Sequence, residues 1–149
     1  MVNAKKYLSN VSKLDKMIAN KMIEKEQWEA VAEGSTVCSE GERVQSSGNP
    51  QKMADAVCQI VMIEEEILKL IKEKQDIIRT IELLPATEYD ILHKMYIGIL
   101  VDNEKGKKIT VYMTLEEVAE EYMMSYSWAS TMHGRGIKKV QDILDERSC

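Results

Sequence analysis

Between Met53 and Leu84 the apolar residues Met53, Val57, Ile60, Ile63, Ile67, Leu70, Ile71, Ile77, Ile78, Ile81 and Leu84 recur at steps of three and four. That spacing lays them along one side of a helix about nine turns long, and such a stripe must be covered. A partner with the same period lies upstream: Ala4, Tyr7, Val11, Leu14 and Ile18, flanked by Leu8 and Met22 and extended by Trp28 and Val31 to about residue 32. The intervening stretch STVCSEGERVQSSGNP is rich in Ser, Gly and Asn and reads as a loop, while Pro50 suits the first turn of the next helix, where its missing N–H costs nothing. Ser46, Ser47 and Asn49 in that loop either form a recognition loop or, the favoured reading, an Asx-type turn leading into the helix. Two long amphipathic helices joined by one loop hide their stripes most simply against each other, so residues 1–84 are expected to form an antiparallel helical hairpin of coiled-coil type.

A two-helix hairpin buries too little to stand alone. Roughly 25 cal/mol per Å² of apolar area is set against about 1.5 kcal/mol of ordering entropy per residue. The pairs Leu70–Ile71 and Ile77–Ile78 widen the second stripe and imply a further surface to cover it. A second copy of the chain, giving a homo-oligomer such as a dimer, and the C-terminal part folding back are both open. With 149 residues, 44% of them hydrophobic, the chain supports one ordinary core or two small ones. Thirty per cent charged residues with two prolines and seven glycines indicate a mostly helical globular protein. No apolar run reaches the ~20 residues that cross a bilayer, and MVNAKKYLSN lacks a secretory apolar block, so a cytoplasmic protein with no membrane partner is expected. Cys38, Cys58 and Cys149 are widely spaced, and His93 and His133 stand far from any CxxC. That spacing suggests neither a disulfide framework nor a metal site.

Leu84-Pro85 marks the expected boundary between the hairpin and a second domain, 85–149. Thr87 and Asp90, three apart before Ile91, Leu92, Met95 and Tyr96, resemble a capping box. In YIGILVDNEKGKKITVYM, β-branched and aromatic residues flank a polar centre with Gly106, which predicts a small β-hairpin inserted at 98–113. Its Lys105, Lys107 and Lys108 either touch a DNA backbone as a wing or line a solvated hairpin. The next stretch, TLEEVAEEYMMSYSWAS, holds two helix starts: Thr114 with Glu117 as a capping box, and Ser125 as an N-cap. Only Met123 and Met124 separate the helices, so the second leaves steeply, as in a helix-turn-helix. Ala119 permits close approach, and Ala129, Met132, Ile137 and Val140 are expected on the buried side.

The exposed side of that second helix then carries Tyr126, Ser127, Ser130 and Thr131, followed by Arg135, Lys138 and Lys139. Polar side chains in the first turns reach base edges and later cations meet phosphates, so Ser125 to Lys139 is the candidate DNA-binding set. Trp128, at the edge of this face, either packs inward or contacts DNA sugar; His133 reads as a surface residue. The net charge of −5 argues against a nucleic-acid partner, but its distribution is uneven. Acidic side chains outnumber basic ones over 85–122, whereas 123–141 holds three cations and no acid.

LPATEYDILHKMY followed by TLEEVAEEYMMSYSWASTMHGRGIKKVQDIL resembles region 4 of bacterial sigma factors, over Leu84 to Leu144. AKKYLSNVSKLDKMI and RVQSSGNPQKMADAV look like small phage and prophage sigma-like regulators (RinA/ArpU-type) of Gram-positive bacteria. The resemblance implies a transcriptional regulator of late genes that binds double-stranded DNA and touches RNA polymerase. Three departures qualify it. Met123 stands where the sigma turn has Gly or Asp, which predicts an altered turn, because Met is costly in a left-handed conformation. Tyr126, Ser127, Ser130 and Thr131 replace the usual base-reading Arg, Glu, Arg and Gln, so the usual promoter hexamer is not implied. Nothing matches the polymerase-binding region 2.

The carboxylates Glu64, Glu65, Glu66, Glu116, Glu117, Glu120 and Glu121 lie on helices with an apolar opposite face and read as solvated surface. No phosphate loop, metal-ligand cluster or Ser/His/Asp set is visible, so the expectation is a non-enzyme without cofactor or metal. Two rivals share the architecture: a DNA-packaging protein of the small-terminase type, and a protein-interaction adaptor without DNA binding.

Overall fold

The computed structural model describes residues 2–33 and 50–148, so the loop expected at 34–49, with Ser46, Ser47 and Asn49, lies outside the described residues. The described residues form five α-helices and one two-stranded sheet, and the predominantly helical expectation holds. Helix α1 spans Ala4–Ala32 and α2 spans Pro50–Glu82. Helix α3, Ala86–Leu92, runs directly into a π-helical turn, His93–Ile97. Strands β1, Ile99–Asp102, and β2, Lys108–Val111, precede α4, Leu115–Glu121, and α5, Tyr126–Ser148.

The chain divides across the long helices rather than at Leu84-Pro85. One compact unit comprises 14–33 and 50–73; the other joins residues 2–13 to everything from Lys74 onward. In the first unit Leu14, Ala56, Ile63, Ile67 and Leu70 are buried, and Lys21 and Glu66 form an ion pair between α1 and α2. On the neighbouring side of α2, Met53, Val57, Val61 and Leu68 are exposed. Within the sequence-read stripe only Met53 and Val57 are exposed; Ile60, Ile71 and Ile78 are half-buried and the remaining members buried, while Val61 and Leu68 extend the exposed apolar side beyond it.

In the second unit the first two turns of α1 act as part of the C-terminal core. Ala4, Leu8 and Val11 are buried together with Ile77, Ile81, Leu84, Ile91, Leu92, Val140 and Leu144. Polar bonds set this packing. The Gln141 amide accepts from Ala4 N at 2.8 Å and donates to Val2 O at 2.8 Å. Thr80, fully buried in α2, uses its whole hydrogen-bonding capacity: its hydroxyl donates to Asp76 O, and accepts from the Tyr7 hydroxyl at 2.9 Å and from Arg147 Nη1 at 2.8 Å. One hydroxyl thus ties α1, α2 and the end of α5 together.

Two local expectations fare differently. The capping box at Thr87 and Asp90 does not form, because α3 starts at Ala86 behind Pro85 and Thr87 already lies inside its first turn. The β-hairpin does form. Its antiparallel register pairs Ile99 with Val111 and Asp102 with Lys108, and the Asn103 side chain accepts from both Lys105 N and Lys107 N at 2.9 Å to close the turn. Lys105, Lys107 and Lys108 are exposed on it. Gly98 enters the hairpin at φ 87, where a Cβ would lie 2.6 Å from Thr110 Cγ2.

Replacing Thr80 with valine keeps the volume but removes the shared hydroxyl, leaving Tyr7 and Arg147 without their partner. The expected cost is about 1–3 kcal/mol, read as a lower denaturant midpoint at unchanged m-value.

Candidate nucleic-acid interface

The approach to α5 is built from local capping chemistry. Glu117 N donates to Thr114 Oγ1 at 3.2 Å and Thr114 N to Glu117 Oε1 at 3.3 Å, the reciprocal capping box that starts α4. Helix α4 ends after one further turn. Met123 N bonds to Glu120 O at 3.1 Å and Met124 N to Ala119 O at 2.9 Å, the paired closing bonds of a Schellman C-cap. Met123 sits at the left-handed position of that cap with φ 56 and is 92% exposed. The turn expected to be altered therefore keeps its left-handed form, because the two closing bonds outweigh the cost of a Cβ there. Ser125 then caps α5, its Oγ accepting from Trp128 N at 3.1 Å.

Which side of α5 faces outward is fixed by its inner side. Ala129 packs with Ile91, Val118 and Ala119, and Met95, Met113, Leu115, Tyr122, Trp128 and Met132 close around them. Gly136, Val140 and Leu144 continue the buried row. At Gly136 a Cβ would lie 3.1 Å from Leu92 Cδ1, a contact tight enough that Leu92 would have to shift, so glycine here eases the close approach of α5 to α3. Of the side expected to be buried, Ala129 and Val140 are buried and Met132 and Ile137 half-buried.

The sequence-derived set is divided by this geometry. Tyr126, Ser127, Ser130, Thr131, Arg135 and Lys138 are all exposed, and helical spacing places them on one outward face with Gly134 among them. No ion pair joins Arg135 or Lys138 to another described residue; the Arg135 guanidinium has only the Met132 sulfur, at 3.9 Å. The other three have work inside the protein. The Ser125 hydroxyl is the cap, and the Trp128 ring packs half-buried against Tyr122, centroids 5.2 Å apart and tilted by 49°. Lys139 Nζ lies 2.7 Å from Oε2 of Glu88, a carboxylate that is almost wholly buried. Lys139 is thus engaged in an ion pair with that carboxylate, although its side chain stays 45% exposed.

Two polar contacts escaped the sequence reading. Tyr122 donates a short hydrogen bond to Asp90, and Lys94 bridges Asp90 at 2.9 Å and Glu121 at 2.6 Å while lying 5.5 Å from the Tyr122 ring centre. Burial works to raise the Asp90 carboxyl, but Tyr122 and Lys94 together hold it below its ordinary value. Burial and Asp90 push the Tyr122 hydroxyl up to about 12. The i,i+4 spacing of Asp90 and Lys94 was the available signal. The second contact corrects the surface reading of His133. Its ring is half-buried, stacked on Tyr96 at 17° between planes, with Nε2 2.9 Å from the Tyr96 hydroxyl. Burial, assisted by Lys5, lowers the His133 pKa. Among the described residues no group of three His, Cys, Asp or Glu side chains gathers to hold a metal ion.

Searches of protein-family models, of curated proteins and of solved structures return no match to this chain.

Two outcomes follow from this geometry. A histidine with a depressed folded-state pKa leaves stability complete above the ordinary 6.5, and stability falls as pH drops toward the depressed value, since the unfolded chain takes the proton first. Thermal midpoints should therefore decline on acidification below about 6.5, and less steeply in His133→Gln, which keeps a polar partner for Tyr96 but cannot titrate. Met123→Gly should stabilise the chain by about 1 kcal/mol in chemical denaturation, because the left-handed position then carries no Cβ.

Proposed function

We propose that the chain binds double-stranded DNA through the outward face of α5, with α4, the Met123 turn and α5 acting as a helix-turn-helix, and that it regulates transcription without catalysis. The observation that carries this reading is the pairing of Arg135 and Lys138, exposed and without described ion-pair partners, with four exposed polar residues one to three turns upstream. No acid intervenes from residue 123 to 141. Duplex affinity arises largely from cations laid against phosphates, and base recognition from short polar side chains at the start of the inserted helix. The C-cap at Met123 supports the reading in a second way: it redirects the chain within four residues, so that α4 braces α5 while leaving its first turns free.

The face also limits what is read. Its first two turns offer hydroxyls and the Tyr126 ring but no Arg, Asn or Gln, so the bidentate contacts that select guanine or adenine are missing. Affinity then leans on phosphate contacts and on duplex shape. The resemblance to phage sigma-like regulators is in keeping with action on late genes. The exposed side of α2, Met53, Val57, Val61 and Leu68, favours a homo-oligomer built through the first unit. A dimer accords with regulation; a ring of many copies would turn the reading toward DNA packaging, and particle mass in solution separates the two.

Fluorescence titration of duplex DNA from upstream of the protein's own operon tests the DNA reading. Affinity should fall steeply with salt, and the double variant Arg135→Ala, Lys138→Ala should bind more weakly and flatten the slope of log K against log salt by roughly two. Unchanged affinity in the double variant would remove this face from consideration.

A further inference from the structure

We propose that Gly134 is the point of closest approach between α5 and its duplex, and that the helix seats deeply enough in the groove for a side chain at that position to obstruct it. The proposal rests on the DNA-binding reading above. Helix α5 holds two internal glycines, and glycine is the poorest helix former after proline because it loses most backbone freedom on folding. Gly136 has a reason inside the protein, the approach of Leu92 to 3.1 Å from where its Cβ would stand. Gly134 has none among the described residues: it is exposed, and a Cβ built on it meets no described atom within 4 Å. Its φ lies in the ordinary helical range and calls for no glycine.

Its neighbours supply the partner. Ser130 and Lys138 lie one turn to either side, and Thr131 and Arg135 flank it on the same outward face. All side chains on that face before Gly134, apart from Tyr126, are short. Serine and threonine hydroxyls reach a base edge only if the helix axis lies nearer the groove floor than it does when long arginine or glutamine side chains do the reading. Depth is then limited by the bulkiest mid-helix position. The absent Cβ at Gly134 lowers the helix surface between Ser130 and the cations, whose long flexible side chains turn aside toward phosphates, and the charge of Arg135 and Lys138 complements a polyanion rather than an acidic protein surface.

The test is a pair of measurements on Gly134→Ala and Gly134→Leu in the full chain. The probe is the tightest duplex that the unaltered protein recovers from a random-sequence pool. Gly134→Ala should raise the thermal midpoint by a few degrees and weaken binding of that duplex about tenfold, and Gly134→Leu should weaken it further while remaining folded. Higher thermal stability with unchanged affinity in both variants would overturn the proposal and leave the DNA reading standing. A lower thermal midpoint in Gly134→Ala would overturn it by giving the glycine a role in the fold. Recovery of no duplex from the pool at low salt would sink the DNA reading itself, and this inference with it.

Discussion

The contact between α5 and its two braces, at Ala129 and Gly136, determines what the rest of the C-terminal unit presents. Ala129 meets Ile91, Val118 and Ala119, and Gly136 meets Leu92. Both positions favour small side chains because α5 lies close to α3 and α4, and in a close-packed interior added volume has to be met by shifts of the neighbours. Once those two points are fixed, the rotation of α5 about its own axis is fixed as well. Tyr126, Ser127, Ser130, Thr131, Arg135 and Lys138 face outward as a result of which residues face inward. The polar contacts act on the same rotation. Lys139 leans to buried Glu88 on one flank, and the His133 ring rests on Tyr96 on the other.

The π-helical turn at His93–Ile97 explains how one short segment serves several neighbours. A π turn places an extra residue within the helical circuit and shifts the side chains that follow it. Here Lys94 reaches Glu121 on α4, Met95 enters the cluster around Ala129, and Tyr96 meets His133 on α5. Lys94 also lends its backbone carbonyl to Met113 N at 3.0 Å, where the chain leaves the hairpin. One five-residue turn thus meets α4, α5 and the exit from the hairpin.

Much of this was legible in the sequence wherever one residue type answers one local need. The stripes of three and four gave both long helices, Thr114 with Glu117 gave the start of α4, and Ser125 gave the start of α5. The strands flanking Asp102 to Lys108 were visible as alternation around a polar turn. What was not legible depended on tertiary partners. Periodicity cannot tell that residues 2–13 and 74–82 belong with the C-terminal core, because the same apolar spacing serves any partner helix. The π turn leaves no mark on apolar spacing. For the same reason His133, which reads as surface by its position beside Met132, is half-buried once Tyr96 is shifted toward it. Within the candidate face, Lys139 was indistinguishable from Lys138 until the buried carboxylate of Glu88 separated them.

Two residues in this unit run against local stability, and both are exposed. Met123 holds a left-handed backbone with its side chain in solvent, and Gly134 weakens a helix at a point where no neighbour requires it. Natural chains sit only slightly above the stability they need, so uncompensated local costs accumulate at surfaces that do something other than fold. Met123 has part of its compensation in the C-cap bonds to Glu120 and Ala119; Gly134 has none among the described residues. The asymmetry matters for how the face is understood. A cost balanced inside the protein reports on the turn, whereas one with no counterpart among the described residues is what the proposed approach of a duplex would account for. On the proposed reading Gly134 would inform on a bound duplex more directly than the neighbouring cations do, because exposed lysines and arginines are common on any solvated helix and an open mid-helix glycine is not.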